Sequence, residues 1–119
     1  MSILITVKKS LGIDQNDEAF DTDILMHLNS VLSTLNQIGI GPDDGFEVTD
    51  NTATWEDFLG VDPRLNLVKS YVHLKVRLLF DPPATSFAID AIKAQITEYE
   101  WRINVVREVD LWVPVVPEL

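Results

Sequence analysis

The chain has no cysteine among its 119 residues. That excludes disulfides, thiolate nucleophiles and cysteine-based zinc sites together, and it fits a reducing compartment. Histidine is nearly as scarce, with His27 and His73 the only two. No apolar run approaches the ~20 residues that a membrane span needs. Near the N-terminus, Ile3, Leu4, Ile5 and Val7 precede Lys8 and Lys9, the reverse of a secretory signal, and no small-residue cleavage site follows. The expectation is a cytoplasmic product without membrane association. Positive charge is also in short supply: nine Lys and Arg face nineteen Asp and Glu, for a net charge of −10. The deficit sits in one half, because residues 1–62 hold two bases against twelve acids while residues 63–119 hold seven of each. Such a balance disfavours wrapping on nucleic acid, where affinity comes from Lys and Arg neutralising phosphates. It leaves two readings of the acidic half: a well-solvated surface, or a surface with a charged partner.

What is present is a globular composition, 46% apolar and 24% charged, enough for one domain with a modest core. Leu4, Val7 and Leu11 repeat at helical spacing and predict a first helix over 3–11, ended by Gly12. An acidic connector, Asp14 to Glu18, follows. Asp21 reads as the N-cap of a second helix, with Phe20 and Leu25 at the positions of a hydrophobic staple. Ile24, Leu28, Val31, Leu35 and Ile38 then form one stripe. Gly39 supplies a left-handed C′ residue, and Ile40 folds back on Leu35 in a Schellman motif. Residues 39–53 read as a long loop, in which "FEVTDNT" alternates weakly enough for a short extended piece or hairpin. A loop of that length in a small domain is functional or mobile. Thr54 caps a short helix through Trp55, Phe58 and Leu59, stopped by Gly60.

Asp62-Pro63 opens a fourth helix, 63–80, with proline at N1. Leu67, Tyr71, Leu74 and Leu78 form one apolar row, with Val68, Val72, Val76 and Leu79 beside it. That arc is too wide for a helix with one packed side, so it is either largely buried or shared between the chain's own core and a neighbouring subunit. Lys69, His73 and Arg77 make a basic stripe opposite. Pro82 and Pro83 then forbid helix continuation. Thr85 or Ser86 caps a fifth helix over 86–108, with a seam of Ile89, Ile92, Ile96, Tyr99, Ile103 and Val106. Ala88, Ala91 and Ala94 permit close approach on a flank. Two long helices joined so tightly predict an αα-hairpin, its end sealed by Phe80 and Phe87. Pro114 and Pro117 stop the last helix. The expected fold is thus all-α: a small bundle of about five helices built on the hairpin (63–80 and 86–108), as one domain over 1–108. An extended apolar tail covers 109–119.

Chemistry is hard to find. Gly39, Gly41 and Gly45 match neither a dinucleotide fingerprint nor a P-loop, and "DDGFEVTDN" fails the spacing of a calcium loop. Asp23 and His27 share a helix face, but two ligands do not make a metal site. Neither Ser30 nor Ser33 stands in an elbow motif. The residues support no catalytic site, no metal and no cofactor. The remaining candidates are surfaces. Leu111, Trp112, Val113, Val115 and Val116 of the tail either anchor on another chain or fold back over the hairpin. Lys69, His73 and Arg77 either pair with the acidic half of a neighbour or stay solvated. Pro42, Asp43, Asp44, Phe46, Glu47 and Val48 form a candidate channel or docking loop.

"VKKSLGID" followed by "DEAFDTDILMHLNS" resembles the opening of the small head–tail connector (adaptor) proteins of tailed bacteriophages. "VKSYVHLKVRLLFDPPATSF" and "QITEYEWRINV" resemble later helices of versions from phages and prophages of Gram-positive hosts. The resemblance covers roughly residues 4–108, and its motifs are structural. It implies a non-enzymatic ring subunit of the virion, assembled in the host cytoplasm. Such a ring sits under the portal, extends the DNA channel and docks the next neck or tail-completion protein. DNA passes through without specific binding. The other reading of the residues is a stand-alone acidic interaction module of antitoxin, anti-repressor or DNA-mimic type.

Overall fold

A computed structural model describes residues 2–42, 44–60 and 65–112, with side chains up to residue 105. The fold is all-α, with α1 (Ile3–Ser10), α2 (Asp21–Gln37), α3 (Trp55–Leu59), α4 (Leu65–Phe80) and α5 (Ser86–Trp112). No strand occurs among the described residues. The segment "FEVTDNT" contributes only an isolated antiparallel bridge between Ser2 and Thr54, where the Ile3 N–H donates to the Ala53 carbonyl at 3.0 Å.

Local chemistry sets most of the boundaries. α1 and α2 both end in full Schellman motifs. Gly12 and Gly39 take φ of 78° and 93°, a region open to glycine at no steric cost. The next residue, Ile13 or Ile40, donates its N–H to the carbonyl of Lys8 or Leu35. Ile40 is thereby carried into the core, fully buried. Thr54 and Asp57 form a reciprocal capping box on α3. Thr85 caps α5 through its hydroxyl, which accepts from the Ala88 N–H at 3.2 Å. The Asp-Pro-Pro corner parts α4 from α5 as expected.

α4 is the central element and packs against both α2 and α5, with α1 as a further neighbour. Its residues Val68, Tyr71, Val72 and Val76 are all buried. Of the two outcomes expected for the wide apolar arc, the structure shows burial: α2 and α5 largely cover it within the chain. Across the hairpin the Tyr71 hydroxyl donates to Glu100 Oε2 at 3.3 Å. Burial, reinforced by the Glu100 charge, pushes the phenol pKa well above its usual value.

Three expectations need correction. Asp21 is the first residue of α2 rather than its N-cap, and Phe20 in the cap position makes no side-chain cap. The carboxylate is instead held by Lys8, as described below. α5 runs to Trp112 rather than 108, because nothing before Pro114 forbids helical dihedrals, so the first residues assigned to the extended tail are helical. Finally, Phe87 does not seal the hairpin. It is 85% exposed, while Phe80 turns towards α2 and packs edge-on against Phe20 at 5.8 Å. The expected start of α4 at Asp62-Pro63 lies outside the described residues.

The long loop is tied down. On α2, Asn29 donates from its amide nitrogen to the Val48 carbonyl at 2.9 Å and accepts from the Val48 N–H at 2.7 Å. Asn36, two turns on, donates to the carbonyl of Pro42. Gly41 lies flat against Phe58, where an added Cβ would come within 2.6 Å of the ring.

The N-terminal half is organised by one buried cation. Lys8 is 1% exposed, and its ammonium meets three acceptors: the carbonyls of Gln15 at 3.2 Å and Asp17 at 2.6 Å, and Asp21 Oδ1 at 2.8 Å. The two carbonyls accept hydrogen bonds from it, and the Asp21 contact is an ion pair whose Oδ1 is buried without a directed hydrogen bond. Replacing Lys8 by Met strands a half-buried carboxylate and two carbonyls. The expected loss is about 3 kcal/mol, read as a lower urea midpoint at unchanged slope. The double variant Lys8→Met/Asp21→Leu should recover part of it, and a loss within about 0.5 kcal/mol of zero, the size of a neutral surface change, would show the cluster to be incidental.

Candidate functional site

Each of the three candidate surfaces meets a different fate. The basic stripe on α4 is not a free row of cations. Lys69 lies over the Trp55 ring, 5.8 Å from its centroid, and the His73 ring meets Trp55 edge-on at 5.9 Å. Trp55 is fully buried, so the α3 capping box that positions it also positions these two side chains. His73 Nε2 and Trp55 Nε1 are buried without a hydrogen-bond partner among the described residues. Arg77, one turn further, is exposed. The three residues do not act as one patch.

The candidate docking loop divides in two. Val48 is 1% exposed and belongs to the core. Phe46 is half-buried against Phe58, ring centroids 5.2 Å apart. Pro42 is half-buried, and its carbonyl is occupied by Asn36. Asp44 and Glu47 face solvent, and Asp43 lies outside the described residues. The outward chemistry of this loop is acidic. Next to it, Asp50 accepts from the hydroxyl and amide of Thr52, which hold its carboxyl below the usual range.

The tail is reached only in part. Leu111 and Trp112 stand on the last turn of α5; their side chains, with Val113, Val115 and Val116, lie outside the described residues.

The outward side of α5 was legible in the sequence only as an alanine flank, without its two aromatic residues. Among the described residues, Phe87 and Trp101 are its exposed large apolar side chains, at 85% and 66%. They share a row with Ala91 and Ala94, both exposed. The legible signal was the second apolar period on a helix whose first period already filled the core.

No group of three or more His, Asp or Glu able to hold a metal occurs among the described residues. Near α1 an open hollow of about 300 Å³ is bordered by Lys8, Gln15, Glu18, Asp21 and Asp50, but its only ammonium is that of Lys8, already paired with Asp21. Nothing in it activates a nucleophile. No helix among the described residues is long and apolar enough to cross a membrane.

His73 gives this region a pH dependence. Burial opposes its charged form and the Lys69 ammonium adds repulsion, so its pKa lies below the ordinary value. A group whose folded pKa is depressed contributes stability above its unfolded pKa, about 6.5 for histidine, and that contribution is lost as pH falls towards the folded value. The melting temperature should therefore drop from pH 7 to pH 5, and drop less in His73→Leu. An equal drop in both proteins would locate the dependence elsewhere.

A family profile described as phage connector protein matches residues 3–110, nearly the whole length. No curated protein and no solved structure matches the chain. With a helical frame that offers surfaces rather than a reaction centre, and a family match over almost all of it, the chain belongs to the phage connector proteins, structural head–tail components of bacteriophage.

Proposed function

We propose that the chain is a non-enzymatic subunit of a head–tail connector ring. The ring sits under the portal of the capsid, extends the DNA channel, and offers a platform to the next neck or tail-completion protein. The observation that carries this reading is the outward face of α5 in a chain of the connector family. Phe87 and Trp101 stand exposed on a helix whose inner seam is already packed, and exposed aromatics in a row mark a protein contact.

Charge gives the ring its second property. Each copy carries a net charge of −10, held in residues 1–62, and a ring multiplies it. If Asp44, Glu47 and their neighbours line the lumen, the wall repels DNA phosphates and the genome slides past without specific binding. Leu111, Trp112 and the residues after them reach the portal or the next component in this reading, and Arg77 is free to meet a neighbour's acids. The chain is then made in the host cytoplasm and ends in the virion at the head–tail interface. A stand-alone acidic module of antitoxin, anti-repressor or DNA-mimic type would explain the charge but leaves the α5 face without a use.

The test is co-expression with the portal protein of the same phage, followed by size separation and electron microscopy. The expected result is a ring of several copies coaxial with the portal, and no retention of duplex DNA by the chain at low salt. Removing residues 113–119 should leave the helical circular dichroism intact and weaken the portal complex. Single copies bound at scattered positions, or no complex at all, would overturn the reading.

A further inference from the structure

α5 has two apolar faces. Its inner seam, Ile92, Ile96, Tyr99 and Ile103, packs into the core. Phe87, Ala91, Ala94, Glu98 and Trp101 follow one another at intervals of four, three, four and three, and all are exposed. At about 100° per residue this row lies on the side opposite the seam, and at about 1.5 Å per residue its two aromatic rings stand ~21 Å apart along the axis. The stretch between them is floored by two alanines, so another helix can approach closely there.

The other exposed large apolar side chains among the described residues are Phe20, Met26 and Leu79. Met26 is 61% exposed and stands on α2 opposite its buried stripe, Ile24, Leu28, Val31, Leu32 and Leu35. Beside it run Ser30 and Ser33, also exposed and also small. Because α4 packs against both α2 and α5, these two outward rows leave the central helix on different sides.

We infer that the outward face of α5, Phe87, Ala91, Ala94 and Trp101, docks against the outward face of α2, around Met26 and Ser30, of a second copy of this chain. The inference rests on the ring reading above and names its contact. Charge selects the pairing. The α5 row is balanced, with Asp90 and Glu98 against Lys93 and Arg102, and Arg102 pairs with Glu98 within the helix at 2.6 Å. It can therefore approach the acidic half of a neighbour, where Asp23 is exposed beside Met26. An α2-to-α2 contact would set acid against acid. Area points the same way. Two exposed aromatic rings supply roughly 300 Å², well short of the ~800 Å² per partner of a stable isolated pair. A contact this small holds when every copy makes it twice, once with each face, in a closed ring. An α5-to-α5 contact would close a two-fold dimer and stop there.

The absence of native cysteine makes the test direct. Ser30→Cys and Ala94→Cys are introduced into the full chain singly and together, and assembly is followed alone and on the portal. The expected result is a disulfide-linked ladder from the double variant on oxidation and none from either single one. Trp101→Glu should raise the concentration needed for assembly by about tenfold, with circular dichroism and melting unchanged because the side chain is exposed. Dimers locked by Ala94→Cys alone would overturn the front-to-back contact in favour of a two-fold one. Rings that form normally in Trp101→Glu, with no ladder from the double variant, would overturn this contact and leave the ring reading standing. A wild-type chain that stays monomeric even with the portal would overturn both. Loss of portal binding in Trp101→Glu with self-assembly intact would give the face to the portal and overturn the inference.

Discussion

The N-terminal half of this protein depends on a lysine that is almost wholly buried. Lys8 sits on the flank of the α1 stripe, and its stem is drawn into the core with Leu4 and Val7. An ammonium in that position is tolerable only if its charge is paired, since an unpaired buried charge costs several kcal/mol. The chain meets that demand by wrapping the segment between α1 and α2 around it, so that the carbonyls of Gln15 and Asp17 and the Asp21 carboxylate converge. The acidic connector thus takes its conformation from the helix before it. Asp21 in turn fixes where α2 begins, and α2 carries the two asparagines that hold the long loop. Helix, connector, helix and loop follow from one charge that had to be satisfied.

This explains which parts of the fold were legible. Wherever a single residue and its neighbours in sequence decide the outcome, the pattern could be read directly. The Schellman endings at Gly39 and Ile40, the Thr54 cap and the Asp-Pro-Pro corner are all of this kind. Readings failed where a distant group competed for the same atoms. Asp21 looks like an N-cap because helix-start amides want an acceptor, yet a lysine thirteen positions earlier takes it. Residues 39–53 look loose because their composition is that of a turn. What ties them down is Asn29 and Asn36, seven apart on one face of α2, and asparagine within a helix was itself a clue, being a poor helix former.

The candidate site was less legible for a related reason. Periodicity reports that a face is apolar, never what covers it. The broad apolar arc of α4 fitted a buried helix and one shared with a neighbouring subunit equally well, and a central helix needs such an arc merely to serve two flanking ones. A surplus lies on α5, which has one packed flank within the chain and therefore needed only its isoleucine seam. The row from Phe87 to Trp101 goes beyond that need. Its alanines read as a flank for close approach, but Phe87 reads as the hairpin end and Trp101 belongs to no predicted face, so the sequence does not assemble the row. In the basic stripe, two of the three members lie against Trp55, a contact that their spacing on α4 could not reveal.

Charge and contact area can then be considered together. Identical copies carrying −10 each repel one another, and the repulsion acts before any apolar contact forms. A pairwise contact of a few hundred Å² cannot overcome it between two free copies, which favours a solution of separate subunits. A basic or otherwise complementary template changes the balance, because it gathers the copies and replaces their lost orientational freedom with a fixed geometry. Closure then adds a contact for the last copy that the others did not have. In the ring proposed above, a chain so built would stay dispersed until its template exists, and the weakness of the α5 contact would keep the ring from forming in the wrong place.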